Sequence, residues 1–363
     1  RAKHGGKFGS RDGNELRLRS RRWAGGRGLS LSISNSSFWT DRSVLVTGCT
    51  GLLGSWLTEA LLDEGASVVG LIRDGVVRSR LVQNHTQQRI NVVSGSMEDY
   101  SLLERALNEY QVQTVFHLAA QTIVRIANEN PLSTFESNVR GTWNMLEACR
   151  RTAWVSEIVI ASSDKAYGIH DDLPYSEDAP LLGNHPYDVS KACADLIAQA
   201  YAKSYELPVC ITRFGNLFGA GDLNFDRLIP GTIRSIIRGE APMIRSNGQF
   251  SRDYIYVEDA AHAYMAVAKG ISSDPAVRGQ AFNFSYEAPQ TAEQVVSKIL
   301  KQMGRPDLKP SILNTAQNEI PHQYLCASKA REWLGWQPKF DFDQGLSQTI
   351  PWYVGALGET ATQ

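Results

Sequence analysis

The sequence of 363 residues predicts an α/β fold, a doubly wound parallel sheet with a smaller C-terminal α/β lobe. Three observations support this prediction. Short β-branched apolar runs alternate with segments of helical periodicity between residues 43 and 214. A glycine-rich turn separates the first such run from the first helix, and after Gly215 the alternation gives way to loops, prolines and short helices. Alternation of this kind places helices on both faces of a parallel sheet.

The predicted elements of the first domain alternate regularly. The predicted strands are, in order, SVLVTG, ASVVGLI, QRINVVSG, QTVFHLA, SEIVIASS and LPVCITRFG. The predicted helices are SWLTEALLDEG, which Gly65 ends, then YSLLERALNEY, TWNMLEACRRT and YDVSKACADLIAQAYAKSY. We place this domain at residues 38–215 and a substrate lobe at residues 216–355, with segments that return to the first domain. Such a lobe would cover the carboxyl ends of the strands, where doubly wound sheets bind ligands.

Composition excludes several classes of protein. Hydrophobic residues make up 42% of the chain, and no apolar run approaches the ~20 residues of a membrane-spanning helix. The net charge of −1 gives the whole chain no electrostatic footprint for nucleic acid. The five cysteines are scattered without a CxxC pair, which argues against zinc and a disulfide framework. We expect a cytoplasmic protein without metal, nucleic-acid or membrane partners.

The first 28 residues differ in charge from the rest of the chain. They hold nine lysines and arginines against two acids, a local charge of +7, and are rich in Gly, Arg and Ser. We predict a disordered extension over residues 1–37, an expression remnant or an over-extended reading frame. A nucleic-acid arm or a transit peptide is the alternative, although the segment lacks interleaved aromatic residues.

A glycine-rich turn opens the first domain. The segment VLVTGCTGLLGSWL places Gly48, Gly51 and Gly54 between a strand and a helix. Glycines there let the backbone turn sharply and approach a pyrophosphate, which the helix N-terminus then stabilises. A second strand ends about twenty residues later, which is the context of a dinucleotide-binding Rossmann fold. The predicted cofactor is therefore NAD or NADP.

Two residues of opposite charge follow the second strand, where the cofactor is normally selected. An acid there binds the ribose 2′-hydroxyl of NAD, and an arginine favours the 2′-phosphate of NADP. The sequence has Arg73 followed by Asp74. The choice stays open, with a slight preference for NADP because Arg73 comes first.

A tyrosine and a lysine lie four residues apart in HPYDVSKACADL. On a helix, Tyr187 and Lys191 share a face. A lysine ammonium beside a phenol favours the phenolate, so we expect Lys191 to lower the pKa of Tyr187 from its usual ~10. Tyr187 would then act as a base on a sugar or alcohol hydroxyl.

These motifs resemble those of the extended short-chain dehydrogenase/reductase family. The resemblance runs from about Val44 to Pro338 and includes the GxxGxxG spacing, HLAA, NVRGTWNMLEA, RFGNLFG, SRDYIYVEDAA and SKAREWLGWQP. Within the family, SSDKAYG at residues 162–168 is most similar to the nucleotide-sugar 4,6-dehydratases, especially the CDP-glucose type, which also has Asp followed by Lys. The resemblance implies a lyase acting on a nucleotide-diphosphate hexose, CDP-glucose favoured over GDP-mannose, with a tightly bound cofactor regenerated in each turnover.

The resemblance also implies roles for individual residues. Ser163 would hydrogen-bond the sugar's 4-hydroxyl beside Tyr187 and Lys191, and Asp164 and Lys165 would be the acid and base of the elimination. The substrate would meet Asn216, Arg227 and Arg252, whereas Arg234 and Arg238 are expected on a solvated helix face. The predicted cofactor-binding residues are Gly48, Thr50, Gly51, Leu52, Leu53, Gly54, Arg73, Ser96, Met97, Leu118, Ala119, Ala120, Tyr187 and Lys191.

A dehydratase needs two groups beyond those of a simple reductase. Oxidation at carbon 4 acidifies the proton on carbon 5; a base removes that proton, and an acid protonates the departing 6-hydroxyl. Lys165 must be neutral to act as the base, which requires burial. Asp164 and Lys165 reach one sugar only if the strand ends by about Ser163, because adjacent strand residues point to opposite faces.

The sequence departs from the family in GSMED, where Ser96 replaces the usual acid that contacts adenine. Adenine would instead meet Met97, or Ser96 would make a weaker contact. His117 in HLAA is expected to be a core histidine with satisfied hydrogen bonds.

Two alternatives to a dehydratase remain. A nucleotide-sugar 4-epimerase would need Ser163, Tyr187 and Lys191 but not Lys165. A non-catalytic nicotinamide-binding protein of the same fold is the other, although nothing structural requires the Ser, Tyr and Lys together.

The resemblance further implies a homodimer, in which the helices after the fourth and fifth strands pair with those of a second copy. The second of these helices carries more apolar surface than one sheet-facing stripe requires, in Ala192, Leu196, Ile197, Ala200 and Tyr201. The small Ala192 and Ala200 would let a partner helix approach closely in a twofold contact.

Overall fold

Seven parallel strands form the central sheet of the protein, whose computed structural model describes residues 37–315 and 320–358. The extension predicted over residues 1–37 lies outside the described residues apart from Ser37. The strands are β1 (Ser43–Thr47), β2 (Ser67–Ile72), β3 (Asn91–Ser94), β4 (Thr114–His117), β5 (Glu157–Ala161), β6 (Val209–Phe214), β7 (Asn216–Phe218), β8 (Met243–Ile244), β9 (Ser251–Arg252), β10 (Tyr254–Tyr256), β11 (Ala281–Phe284), β12 (Gln290–Thr291), β13 (Ser311–Ile312) and β14 (His322–Gln323).

Helices connect these strands and cover the sheet. They are α1 (Leu52–Asp63), α2 (Arg80–Gln83), α3 (Tyr100–Glu109), α4 (Val124–Glu129), α5 (Pro131–Phe135), α6 (Gly141–Arg151), α7 (Pro186–Tyr205), α8 (Leu228–Ile237), α9 (Val257–Ser273), α10 (Ala292–Gln302), α11 (Ser328–Leu334) and α12 (Phe342–Gly358). Short 3-10 turns occur at Thr86–Arg89, Asp164–Tyr167 and Pro275–Val277, and a π-helical turn at Glu136–Arg140 precedes α6. None of the described helices is both long and apolar enough to cross a bilayer.

The order of strands in the sheet is β11-β6-β5-β4-β1-β2-β3. From β1 the chain adds β2 and β3 on one side, then returns to place β4 on the other side of β1. This reversal between β1 and β4 is the switch point at which doubly wound sheets bind ligands. The predicted fold class is confirmed, and all six predicted strands and all four predicted helices are present.

Apolar helices bury both faces of the sheet. Leu57 and Leu61 of α1 pack with Tyr264 of α9 on one face. Leu103 of α3 and Met145 of α6 pack on the other face. Because both faces are covered, the strands carry nearly continuous aliphatic runs rather than an alternating pattern.

The chain after residue 215 has a second apolar cluster, which includes Ile233 of α8, Val295 of α10 and Leu346 of α12. This part of the chain also returns to the first domain. The strand β11 pairs with β6 at the edge of the main sheet, and α9 packs against α1. The same stretch of chain therefore builds the lobe and completes the sheet.

The outer face of α6 and α7 is partly apolar. Leu196 is 53% exposed, Trp143 is 44% exposed and Ala200 is also exposed. Ala192 is buried inside the subunit, so the expectation that it receives a partner helix is wrong.

Candidate active site

A cavity of about 1230 Å³ lies over the carboxyl ends of the sheet strands. Its wall includes the segments that follow β1 to β5, the first turns of α7, and residues of the second lobe. Every residue that the sequence assigned to catalysis, cofactor binding or substrate binding lines this cavity. The structure thus brings all of them together, and their individual roles remain predictions.

The glycine turn after β1 fits a dinucleotide. Gly48 has φ +70°, and a Cβ there would lie 2.9 Å from the backbone nitrogen of Ala119. A Cβ on Gly54 would lie 2.1 Å from the carbonyl oxygen of Gly48. The helix α1 begins after Gly51, which supplies no side-chain cap, so its first amide groups suit an anion. This cradle fits the pyrophosphate of NAD or NADP.

The two residues after β2 that the sequence predicts to select the cofactor are paired with each other. Arg73 Nε lies 2.7 Å from Asp74 Oδ2, and both side chains are mostly exposed. Both residues line the cavity. Because Asp74 balances the charge of Arg73, the arginine alone does not favour a 2′-phosphate.

The helix α7 carries Tyr187 and Lys191 on one face, and both side chains are buried. The Lys191 ammonium donates a hydrogen bond of 2.9 Å to the carbonyl oxygen of Ala161, and burial lowers the pKa of Lys191 to about 8. Burial also raises the pKa of Tyr187 to about 12, against the positive charge of Arg227 and a hydrogen bond with Ser163. The expected lowering of the Tyr187 pKa is therefore wrong for this structure, because desolvation of the phenolate outweighs the nearby charges.

The acid and the lysine of SSDKAYG lie on a 3-10 turn rather than on a strand. The strand β5 ends at Ala161, and the turn begins at Asp164. The Ser163 hydroxyl donates to Asp164 Oδ1 at 3.0 Å and accepts from the backbone N–H of Lys165 at 3.2 Å. The geometric condition set by the sequence is met, and both Asp164 and Lys165 line the cavity.

Burial raises the pKa of Asp164, although the charges of Lys165 and Arg252 oppose the shift. A raised pKa favours the protonated carboxylic acid, which is the form that can donate a proton. The site therefore offers an acid next to a lysine.

The sequence missed several acids of the cavity wall, Asp188 and Glu98 among them. Asp188 is buried directly after Tyr187, and burial raises its pKa while Lys165 opposes the shift. Glu98 is half-buried three residues after the turn at Gly95. The signals were present, an acid beside Tyr187 and a second acid in GSMED, but only packing shows that they face the cavity.

The predicted substrate arginines already have partners. Arg252 is buried and donates to the carbonyl oxygens of Ser251, Ile320 and Pro321. Arg227 Nη1 lies 3.0 Å from Asp222 Oδ2. Both line the cavity, but the structure uses these arginines to hold its wall as well.

Arg234 corrects another expectation. Its guanidinium lies 4.6 Å above the ring centre of Phe225, and it lines the cavity rather than a solvated face. Arg238, the C-cap of α8, is exposed as expected. The contact with Phe225 accounts for the position of Arg234.

His117 is a core residue, as predicted. Its two ring nitrogens lie 3.0 Å from the hydroxyl oxygens of Thr47 and Thr142. Burial lowers its pKa to about 3, with a further contribution from Lys191. A neutral imidazole with both nitrogens bonded has no proton to exchange with a ligand in the cavity.

Comparison with known proteins identifies the family. A family model described as GDP-mannose 4,6 dehydratase matches residues 45–349. The chain belongs to this family. The CDP-glucose 4,6-dehydratase of Salmonella typhimurium is 31% identical over 344 residues, which cover 88% of this chain and 92% of that protein. The resemblance to extended short-chain dehydrogenases, and to their nucleotide-sugar 4,6-dehydratases, is confirmed.

The similar proteins also include a 4-epimerase and a solved structure with NAD bound. UDP-glucuronate 4-epimerase 2 of Arabidopsis thaliana is 29% identical over 365 residues, covering 95% of this chain and 83% of that protein. A solved dTDP-glucose 4,6-dehydratase from Streptomyces venezuelae, with NAD bound, has a TM-score of 0.79 and 26% identity. The structural match covers 87% of this chain and 98% of the Streptomyces chain. The family assignment therefore includes dehydratases and epimerases.

Proposed function

We propose that this protein is a nucleotide-sugar 4,6-dehydratase that converts an NDP-hexose to its 4-keto-6-deoxy sugar, with CDP-glucose favoured over GDP-mannose. The observation that supports it is the pair Asp164 and Lys165. Both line the cavity on one 3-10 turn, next to Ser163, and the Asp164 pKa is raised. A 4-epimerase has no step that uses such a pair. The 31% identity with a CDP-glucose 4,6-dehydratase supports the same reaction and substrate.

The cofactor of the proposed enzyme is NAD or NADP, as the sequence predicts. When bound, its nicotinamide would accept a hydride from carbon 4 of the sugar and return it at carbon 6 within one turnover. The glycine turn after β1 and the first amides of α1 would bind its pyrophosphate. The segments after β2 and β3 would bind the adenosine half.

Ser163 and two residues of α7, Tyr187 and Lys191, would serve the oxidation at carbon 4. Ser163 would hold the 4-hydroxyl by a hydrogen bond, and Tyr187 would take its proton. The positive charge of Arg227 favours the phenolate that Tyr187 needs, against the burial that raises its pKa. The ammonium of Lys191 would add a second positive charge on the same face of α7. Lys191 is fixed for this role by its hydrogen bond to the carbonyl of Ala161.

The elimination would use the 3-10 turn. Asp164, held by the Ser163 hydroxyl, would donate a proton to the departing 6-hydroxyl. Lys165 would remove the proton from carbon 5. Burial raises the pKa of both neighbouring acids, Asp164 and Asp188, and this weakens the negative charge that would keep Lys165 protonated. A neutral lysine is the form that can act as a base.

The test is incubation of the purified protein with CDP-glucose, followed by alkaline ultraviolet absorbance, which detects a 4-keto sugar. A dehydratase produces the ketone, whereas an epimerase gives a new nucleotide hexose without it, and a binding protein changes nothing. A panel of CDP-, GDP-, UDP- and dTDP-hexoses would rank the substrates. Tyr187→Phe is the control, because it removes the base for the 4-hydroxyl.

The epimerase remains the second candidate function. The 29% identity with a UDP-glucuronate 4-epimerase favours it, and the Ser163, Tyr187 and Lys191 set would serve both reactions. The presence of Asp164 and Lys165 together is what favours the dehydratase over it.

A cytoplasmic homodimer is part of the proposal. The exposed Trp143 on α6 and Leu196 on α7 support a helix-to-helix contact between two copies. Light scattering at micromolar concentration would test it, and a monomer mass would contradict it.

A further inference from the structure

Glu98 occupies a wall of the cavity that the sequence had assigned to Ser96 and Met97. Its backbone is fixed on both sides. Asn144 of α6 donates hydrogen bonds of 3.1 Å to the carbonyl oxygens of Met97 and Glu98. The turn before it needs Gly95, since φ is +153° and a Cβ would lie 2.1 Å from Leu102 Cδ2. The chain thus presents residue 98 at a fixed place.

Two hydroxyl groups also fix the Glu98 carboxylate. Ser96 donates to Oε2, and Ser137, from the π-helical turn, donates to Oε1 at 2.9 Å. A carboxylate offers about four acceptor positions, so these two hydrogen bonds leave others for a ligand. Ser96 and Ser137 therefore orient an acceptor in the cavity wall.

The position of Glu98 indicates which ligand group it would meet. In a Rossmann fold the residues after the second strand contact the adenosine ribose, and here these are Arg73 and Asp74. The strand adjacent to β2 is β3, and the segment after β3 runs from Gly95 to Glu98, so the base on that ribose would lie beside this segment. Met97 is buried and lines the cavity with an apolar surface suited to the face of a purine. The hydrogen-bond donor of adenine is its exocyclic amino group.

We propose that Glu98 binds the amino group of the cofactor's adenine and so takes the place of an acid at position 96. Ser96 is then a positioning residue, because it acts through the Glu98 carboxylate. The proposal rests on the cofactor assignment given above and adds the residue that recognises the base.

The test is a competition between two dinucleotides for the full-length protein. The protein is equilibrated with equal, large excesses of NAD and nicotinamide hypoxanthine dinucleotide, in which a carbonyl replaces the amino group. After gel filtration, mass spectrometry gives the ratio of the two bound dinucleotides. We expect the parent to favour NAD roughly tenfold, since a hydrogen bond to a charged acceptor has about that effect.

Glu98→Ala should bring the bound ratio close to one. Glu104→Ala is the matched control, because Glu104 lies on α3 outside the cavity lining, and it should keep the parent's ratio. Ser96→Asp added to Glu98→Ala should restore the preference by returning an acid to position 96. Glu98→Gln, the variant with the least change in shape, should narrow the preference, because its amide can donate to the hypoxanthine carbonyl.

The proposal is overturned if Glu98→Ala keeps the parent's ratio or if the parent itself does not discriminate. A protein that binds both dinucleotides equally refutes only the role of Glu98. A protein that binds neither refutes the cofactor assignment, and the role of Glu98 with it.

Discussion

Two Arg–Asp pairs of almost equal length lie in contrasting surroundings. The pair Arg213–Asp195 measures 2.8 Å, with side chains 2% and 0% exposed. The pair Arg73–Asp74 measures 2.7 Å, with side chains 61% and 66% exposed. The first joins α7 to the 3-10 turn that carries residues proposed for catalysis, and the second lines the part of the cavity proposed for the cofactor. Distance is therefore not what separates their roles.

The buried pair is one part of a network that joins two elements of the site. Arg213 donates to both Asp195 oxygens on α7 and, at 2.7 Å, to the hydroxyl of Tyr167 on the 3-10 turn. Tyr167 in turn donates to Asn283 Oδ1 at 2.8 Å. Removal of one partner from a buried ion pair lowers the stability of the fold strongly, whereas an exposed ion pair can open to bind a ligand with little loss of stability. The contrast predicts a rigid catalytic wall and an adaptable cofactor end.

The largest expected effect falls on the rigid wall. Asp164→Asn or Lys165→Ala should slow the loss of water roughly 10²-fold or more, since each removes a group that transfers a proton. Oxidation at carbon 4 should persist, because Tyr187 and Lys191 are intact. Stopped-flow absorbance of reduced nicotinamide and a 4-keto sugar assay would separate the two steps.

Lys203→Ala, which removes an exposed lysine of α7 outside the cavity lining, is the control for both variants. It should leave both steps unchanged. Dehydration at the parent rate by either Asp164→Asn or Lys165→Ala would show that the assignment is wrong.

The second prediction compares the two pairs directly. Arg213→Met should lower the free energy of unfolding by about 3–5 kcal/mol, because it leaves the Asp195 charge buried without its main partner. Arg73→Met should change it by less than about 1 kcal/mol. Urea unfolding of the two variants measures both values, and the double variant Arg213→Met/Asp195→Leu should recover part of the loss. Equal effects at the two arginines would remove the distinction between the two regions.

The third prediction concerns pH. Burial lowers the pKa of Lys191 to about 8 from its usual 10.5, so the folded state binds fewer protons than the unfolded state between these two values. The cost of burying the lysine is therefore full below about pH 8 and disappears as the pH rises toward about 10.5. Lys191→Met should be more stable than the parent at pH 7, by up to about 3 kcal/mol, while losing activity.

Unfolding curves at pH 7 and pH 10 would check this sign. The advantage of Lys191→Met should shrink at the higher pH. An advantage that stays constant or grows with pH would mean that Lys191 is not buried as a strained cation.

The sequence was sufficient to predict a core set of the residues that line the cavity, because backbone geometry determines their places. Three local patterns each predict a single structure. They are the glycine turn after β1, the ends of the parallel strands, and the spacing of Tyr187 and Lys191. The family resemblance added Asp164 and Lys165, and the end of β5 at Ala161 removed the geometric objection to them.

What the sequence could not predict depends on contacts between distant segments. The direction of the Tyr187 pKa shift follows from how deeply α7 is buried, which spacing does not reveal. Arg234 turns toward the cavity because Phe225 packs beside it. Glu98 faces the cavity because Ser137, 39 residues further along the chain, holds its carboxylate. In each case the sequence gives the residue type but not the side chains that pack around it.

The smallest expected effect falls on the exposed pair, and it concerns selectivity rather than stability. Asp74→Asn leaves Arg73 without its carboxylate, so the arginine can pair with the 2′-phosphate of NADP. We expect the ratio of NADP to NAD affinity to rise about fivefold, with no measurable change in unfolding free energy, because an exposed pair contributes at most about 1 kcal/mol. Asp63→Asn is the matched control. Asp63 is the last residue of α1, and it forms a similarly exposed pair with Arg89. Competition between NAD and NADP measures this ratio. An equal ratio in Asp74→Asn and in the parent would show that Arg73 does not bind the 2′-phosphate of NADP.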